Sequence, residues 1–94
     1  MMSGNLHSER GGLLNPIRAA RERIGLTRMD LARAARCHYQ TIVHLEVGIP
    51  NHPPAAVLAI LARAGFASEV IEAQYQDWRE EQNRLALARV TRVV

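Results

Sequence analysis

Four residues in the middle of the sequence have side chains that can ligate a metal ion. They are Cys37, His38, His44 and His52. Zinc sites use a closed set of ligands at characteristic short spacings, and the spacing of these residues matches no such set. His44 also falls within the helix predicted over residues 39–46. The sequence therefore predicts no metal site.

Residues with the chemistry for catalysis are present but not in a catalytic arrangement. The neighbouring acids Glu80 and Glu81 are more typical of a solvated helix face than of a general acid–base pair. No serine or cysteine is accompanied by a recognisable base that would activate it as a nucleophile. We therefore expect a protein with no enzymatic activity and no cofactor.

The basic residues are unevenly distributed along the chain. All twelve are arginines, and residues 1–48 contain seven of them against four acids, whereas residues 49–94 contain five of each. The net charge of +3 therefore belongs to the first half. Such an excess is typical of a surface that binds a polyanion, although a solvated face could carry it equally well.

Length and composition indicate one small helical domain. A chain of 94 residues that is 48% hydrophobic can build a single core, and its many Ala, Leu and Val residues suit close-packed helices. Cys37 is the only cysteine, so no internal disulfide can form. No apolar run approaches the roughly 20 residues that span a bilayer, and no secretion signal is recognisable. We expect a soluble, cytoplasmic protein with no membrane partner.

Caps and apolar spacing predict four helices before residue 66. The first three are expected over residues 16–24, 28–35 and 39–46. A loop over 49–54 contains three prolines and leads into a fourth helix, which Gly65 ends. The inward faces are expected to include Met29 on the second helix and Ala62 on the fourth.

A fifth helix is predicted at the C-terminal end of the chain. Ser68 is expected to cap it, and because no Gly or Pro follows, it could extend about 20 residues, or roughly 30 Å. The β-branched residues within 89–94 leave helix and strand both open there. The predicted organisation is a flexible arm over 1–14, a helical domain over 15–71 and a helical extension over 72–94.

The second and third predicted helices are joined by the three-residue turn Arg36-Cys37-His38. Two short helices so joined are typical of a helix-turn-helix, in which the second helix enters the DNA major groove. That groove, about 12 Å wide, admits one α-helix.

The residues also resemble a known family. The sequence reads RERIGLTRMDLA from Arg21 to Ala32 and TIVHLEVG from Thr41 to Gly48, which is similar to the Cro/lambda-repressor-type (XRE-like) helix-turn-helix family. The resemblance covers residues 16–71. It implies an all-α, five-helix lambda-repressor-like domain, here with an extended C-terminal helix, that binds operator DNA, most often as a dimer.

The resemblance also implies roles for individual residues. Arg21 and Glu46 match an ion pair beneath the recognition helix, which fixes this helix on the first one. Arg28 matches a position that contacts DNA phosphate. The full set of DNA contacts that we expect consists of Thr27, Arg28, His38, Tyr39, Gln40, Thr41 and His44, although Thr41 could instead face inward.

The sequence departs from the family pattern at several positions. Arg36 stands where the family usually has glycine, so either this residue adopts a strained positive φ or the turn differs. His38 replaces the usual Ser or Thr cap, and Cys37 matches a small apolar filler. The loop over 49–52 is not basic, unlike its family counterpart, which makes phosphate contacts there doubtful.

Large side chains continue along the fifth predicted helix after the core should be complete. Tyr75, Trp78 and Leu85 follow a near-heptad spacing, which predicts a homodimer seam. A two-fold dimer would place two recognition helices about 34 Å apart, to match a palindromic operator. In the competing arrangement the helix folds back over Val57 and Leu61 and leaves a monomer.

The sequence thus predicts a sequence-specific transcriptional regulator of double-stranded DNA, repressor-like and homodimeric, with recognition helix 39–46 in the major groove. The alternative is a protein-interaction adaptor or antitoxin-type module with the same fold and weak DNA binding of its own. The non-basic loop favours the alternative, whereas the polar exposed face of the third helix favours DNA binding.

Overall fold

The computed structural model describes residues 14–93, and all regular structure within them is helical. The helices are α1 (Pro16–Ile24), α2 (Arg28–Ala35), α3 (Tyr39–Val47), α4 (Ala55–Arg63) and α5 (Ser68–Val93). The predicted all-α, five-helix architecture is confirmed. Of the predicted arm, residues 1–13 lie outside the described residues.

Side-chain caps determine where the first two helices begin. Asn15 Oδ1 accepts a hydrogen bond from the backbone N–H three residues later, at 2.9 Å. Thr27 and Asp30 form a reciprocal capping box with two 3.0 Å bonds, and the bond from the Thr27 N–H lowers the pKa of the Asp30 carboxyl. Ser68, in contrast, is the first residue of α5 and not its cap, since the Ala67 carbonyl already accepts the first helical hydrogen bonds.

One hydrophobic core receives side chains from all five helices. Its buried members are Ile17, Ala20, Leu31, Ala32, Ala35, Ile42, Leu45, Val57, Leu61, Ile71, Tyr75 and Trp78. Two predictions of burial are wrong, because Met29 and Ala62 are exposed. Met29 precedes buried Leu31 by two residues, and Ala62 follows buried Leu61 by one. These offsets turn the two side chains about 200° and 100° around their helix axes, away from the core.

Helix α5 is longer than predicted and folds back on its own domain. It continues to Val93, so the ambiguous segment is helical as far as that residue. Its first three turns pack against α1 and α4. The predicted dimer seam is wrong for Tyr75 and Trp78, which are buried inside the protomer at 0% and 7% exposure. Leu85 is half-buried.

The end of α3 and the loop after it hold α5 in place. The Tyr75 hydroxyl donates to the Pro50 carbonyl at 2.7 Å, and Arg79 Nε donates to the Gly48 carbonyl at 2.9 Å. A β-carbon on Gly48 would lie 2.8 Å from Trp78 Cζ3. The absence of a side chain at Gly48 therefore permits the close contact between α3 and α5.

Candidate nucleic-acid interface

The turn between α2 and α3 sets the direction in which α3 leaves α2. Arg36 has φ 56° and ψ 47°, which makes it the one non-glycine residue with positive φ among residues 14–93. The Arg36 N–H donates to the Arg33 carbonyl, and the Cys37 N–H donates to the Ala32 carbonyl. This hydrogen-bond pattern is typical of helices that end at a glycine. The family geometry is therefore kept without the family's glycine.

Replacing Arg36 by glycine is expected to stabilise the protein by about 1 kcal/mol, because an L-residue in the left-handed region costs about 1–2 kcal/mol and glycine gives back part of this in the unfolded chain. Urea unfolding followed by circular dichroism measures the change. Arg33→Gly is the matched control: it lies in the helical part of α2 and should destabilise by about 1 kcal/mol. If both substitutions changed the free energy of unfolding in the same direction, the left-handed conformation assigned to Arg36 would be wrong.

The two residues after Arg36 lead into α3. Cys37 is half-buried against the core, and burial raises the pKa of its thiol. His38 is the N-cap of α3 and its side chain makes no capping hydrogen bond. The exposed imidazole of His38 therefore lies at the N-terminal end of the helix without being used to cap it.

A buried carboxylate joins α3 to both preceding helices. The Glu46 side chain is 4% exposed and accepts hydrogen bonds from Arg21 Nε at 2.7 Å, Arg21 Nη2 at 3.2 Å and Arg28 Nε at 2.9 Å. Arg21 also donates to the Leu26 carbonyl at 2.8 Å. We call Arg21, Arg28 and Glu46 the buried charge cluster. Its bidentate pair has the geometry that restrains both partners most strongly.

Arg28 was assigned from the sequence only to DNA phosphate, and its place in this cluster was missed. No local pattern could reveal it, because Glu46 lies 18 residues further along the chain. The hydrogen bond from Arg28 to Glu46 and the negative charge of this carboxylate raise the pKa of the Arg28 guanidinium. Tyr39 also contributes to this increase in pKa. The Arg28 side chain remains 40% exposed beside a surface recess of about 410 Å³ that Thr27 and Tyr39 also line.

The outer face of α3 carries most of the residues that were expected to contact bases. Tyr39, Gln40 and His44 are exposed, and Thr41 is half-buried. Among residues 14–93, no hydrogen bond occupies the side chains of Gln40 or His44. Val47 is 61% exposed and lies eight residues after Tyr39, on the same side of the helix. The sequence alone did not indicate Val47 as part of this face.

Asn15 has a second function that the sequence did not reveal. While its Oδ1 caps α1, its Nδ2 donates to the carbonyls of Leu45 and Glu46 at 3.2 and 3.1 Å. The side chain is buried with both of its polar atoms bonded. These hydrogen bonds fix the beginning of α1 to the end of α3. They are an uncharged connection between the two helices, in addition to the buried charge cluster.

The loop after α3 is connected to α5. The Asn51 carbonyl accepts a hydrogen bond from Gln76 Nε2 at 2.6 Å, and His52 Nδ1 lies 2.8 Å from a carboxylate oxygen of Glu72. These hydrogen-bonding groups therefore connect the loop to α5 within the protomer.

Two further observations concern the described part of the chain. No group of three or more His, Cys, Asp or Glu side chains within it could hold a metal ion. None of its helices is both long and apolar enough to cross a membrane.

Short helices α2 and α3, the turn between them and the free outer face of α3 define a helix-turn-helix domain, a class that binds DNA. A family model described as a helix-turn-helix domain matches residues 16–73. The chain belongs to this family, which is of the XRE/Cro-like type. No curated protein and no solved structure matches the chain significantly.

Proposed function

We propose that the protein is a sequence-specific transcriptional regulator that places α3 in the major groove of double-stranded DNA. The observation that carries this proposal is the contrast between the two sides of α3. The inner side is held by buried Ile42, Leu45 and Glu46, whereas Gln40 and His44 on the outer side are exposed and free of intramolecular hydrogen bonds. A helix that is held firmly on one side, and whose other side carries polar groups without intramolecular partners, is suited to base recognition.

Each proposed contact follows from the chemistry of the side chain. Gln40 can pair with adenine through its amide, and the Tyr39 ring can pack on a thymine methyl group or reach a phosphate. Arg28, His38 and Thr27 lie at the starts of α2 and α3, where helix N-termini favour phosphate. Because Arg28 Nε is bound to Glu46, the two terminal nitrogens of its guanidinium remain for a phosphate.

Gln40→Ala or His44→Ala is expected to weaken binding to the preferred duplex by about 1–3 kcal/mol and to relax the base preference at particular positions. Arg28→Ala should weaken binding to all sequences alike and reduce the salt slope by about 1, because it removes a phosphate contact. Selection from random duplexes identifies the site, and titration at several salt concentrations measures both quantities.

Gln74→Ala and Arg63→Ala are the matched controls, since both residues are exposed and lie outside the helix-turn-helix, on α5 and α4. They should leave affinity and base preference unchanged, and thermal unfolding verifies that every variant is folded. If the Gln40 and His44 variants bind the preferred duplex as tightly as the Gln74 variant does, α3 does not read bases. If selection enriches no duplex at all, the adaptor or antitoxin-type alternative replaces the regulator.

A homodimer on a palindromic operator stays a prediction. Its seam cannot include Tyr75 or Trp78, which the protomer itself buries. A two-fold arrangement of two α3 helices therefore needs another surface.

A further inference from the structure

The C-terminal end of α3 has no positive charge of its own. Residues 47–51 read VGIPN, and the next residue, His52, lies 2.8 Å from a carboxylate oxygen of Glu72. The last carbonyl groups of a helix also carry a partial negative charge. Without a contribution from elsewhere in the chain, this end of α3 would repel a DNA phosphate.

The structure brings one positive charge to this end of α3. Arg79 of α5, which follows Gly48 by 31 residues, donates from Nε to the Gly48 carbonyl at 2.9 Å. Among residues 14–93, no carboxylate forms an ion pair with the Arg79 guanidinium. The neighbouring acids Asp77 and Glu80 are turned about 200° and 100° around the axis of α5 from Arg79.

The outer part of the Arg79 side chain is open to a ligand. Its Nε is occupied by the Gly48 carbonyl, whereas no hydrogen bond within the described part of the chain uses its terminal nitrogens Nη1 and Nη2. No buried side-chain nitrogen or oxygen in this part lacks a partner, so these two nitrogens reach solvent. The bond at Nε restrains the guanidinium, and its two free nitrogens form the fork that matches a phosphate group.

Arg79 and His38 lie at opposite ends of α3. His38 precedes the first residue of this helix, whereas Gly48, to which Arg79 is bonded, follows the last. The nine residues of α3 form a helix about 13.5 Å long, close to the width of the major groove, about 12 Å. Phosphates line both edges of that groove, so a helix seated in it has phosphates close to both of its ends.

We propose that Arg79 contacts a DNA phosphate through its two terminal nitrogens, at the C-terminal end of α3. This inference rests on the proposed function, because it needs α3 to lie in the major groove. Arg79 lies beyond residues 16–73, which the family model matches. The contact is therefore a property of the long α5 of this chain, which supplies the positive charge that the loop after α3 lacks.

Arg79→Gln separates a DNA contact from a purely structural role. The glutamine Nε2 is as many bonds from the backbone as the arginine Nε, so it can still donate to the Gly48 carbonyl, but it carries no charge. Titration of the preferred duplex at several salt concentrations should show affinity about tenfold lower for all sequences and a salt slope smaller by about 1. Arg79→Lys, which keeps the charge, should retain the slope.

Arg84→Gln is the matched control, because it removes the same charge from the same helix. Arg84 is paired with Glu81 at 2.6 Å and lies five residues after Arg79, about 140° around the axis of α5. This variant should leave both affinity and salt slope unchanged. Loss of folded protein lowers the bound fraction at every salt concentration without changing the slope, so the slope is the deciding measurement.

A wild-type salt slope for Arg79→Gln would mean that Arg79 only caps α3, and it would overturn the proposal. So would a slope as low for Arg79→Lys as for Arg79→Gln, because the effect would then come from the bond to Gly48. In either case a loss of affinity for Gln40→Ala would still support the proposed function. If the wild type prefers no duplex, the proposed function and this inference fail together.

Discussion

Glu46→Ala is expected to destabilise the protein by about 3–5 kcal/mol, the usual cost of leaving a buried charge without its partner. The Arg21 side chain is 8% exposed and would lose both of its bonds to the carboxylate. The Leu26 carbonyl would remain its main hydrogen-bond acceptor. This loss should also weaken DNA binding, because Glu46 connects α3 to α1 and α2.

The buried charge cluster also predicts an order of effects. Arg21→Ala should cost less than Glu46→Ala, because Arg28 still pairs with the carboxylate at 2.9 Å. Arg28→Ala should cost least, since this side chain is partly exposed and solvent screens its charge. Urea unfolding of the three variants gives the order, and a double-mutant cycle isolates the Arg21–Glu46 coupling.

Glu22→Ala is the matched control, because Glu22 pairs with Arg18 at 2.9 Å on the surface and should contribute little. A loss on Glu46→Ala as small as that on Glu22→Ala would contradict the buried pairing. Equal losses for Arg21→Ala and Glu46→Ala would show that Arg28 does not hold the carboxylate.

Gly48→Ala should be the other severely destabilising substitution, and Gly25→Ala provides its matched control. Both glycines end helices with φ 90°, so alanine costs about 1–2 kcal/mol at either position for its left-handed backbone. A β-carbon at Gly25 meets no atom within 4 Å, whereas one at Gly48 lies 2.8 Å from the Trp78 ring. Gly48→Ala should therefore cost a further 1–3 kcal/mol or so, as overpacked sites do.

Thermal and urea unfolding of the two variants measure this difference directly. Because backbone strain is common to both, the excess at Gly48 reports the contact with Trp78 alone. Trp78→Phe in the Gly48→Ala background should recover part of the loss, so the two changes should be less than additive. Equal destabilisation at the two glycines would mean that α5 does not pack against the end of α3 as described.

The structure clarifies why some sequence predictions succeeded. The bounds of α1 and α2 depend on interactions between residues three or four apart, such as the capping box of Thr27 and Asp30. The positive φ of Arg36 is one of the two alternatives that the family pattern of the turn left open. The resemblance also paired Arg21 with Glu46, which are 25 residues apart. Local spacing alone would not have joined these two residues.

The course of α5 could not be predicted in the same way. The spacing of Tyr75, Trp78 and Leu85 suits a dimer seam and an intramolecular core equally well, because both bury one stripe of a helix. The choice depends on where the proline-rich loop over 49–54 directs the chain. Tyr75 is bonded to Pro50 across 25 residues, and this contact holds α5 against its own domain.

The sequence by itself determined the family, the order of the five helices and the side-chain caps of α1 and α2, because each is encoded in short segments whose residues interact with their neighbours along the chain. Only the tertiary structure decided which side chains meet across helices. Arg28 joins Glu46, Asn15 reaches the end of α3, and Trp78 lies over Gly48. These contacts span 18 to 31 residues, and the physical reason is that loop paths and helix crossing angles, which no local pattern encodes, bring them together.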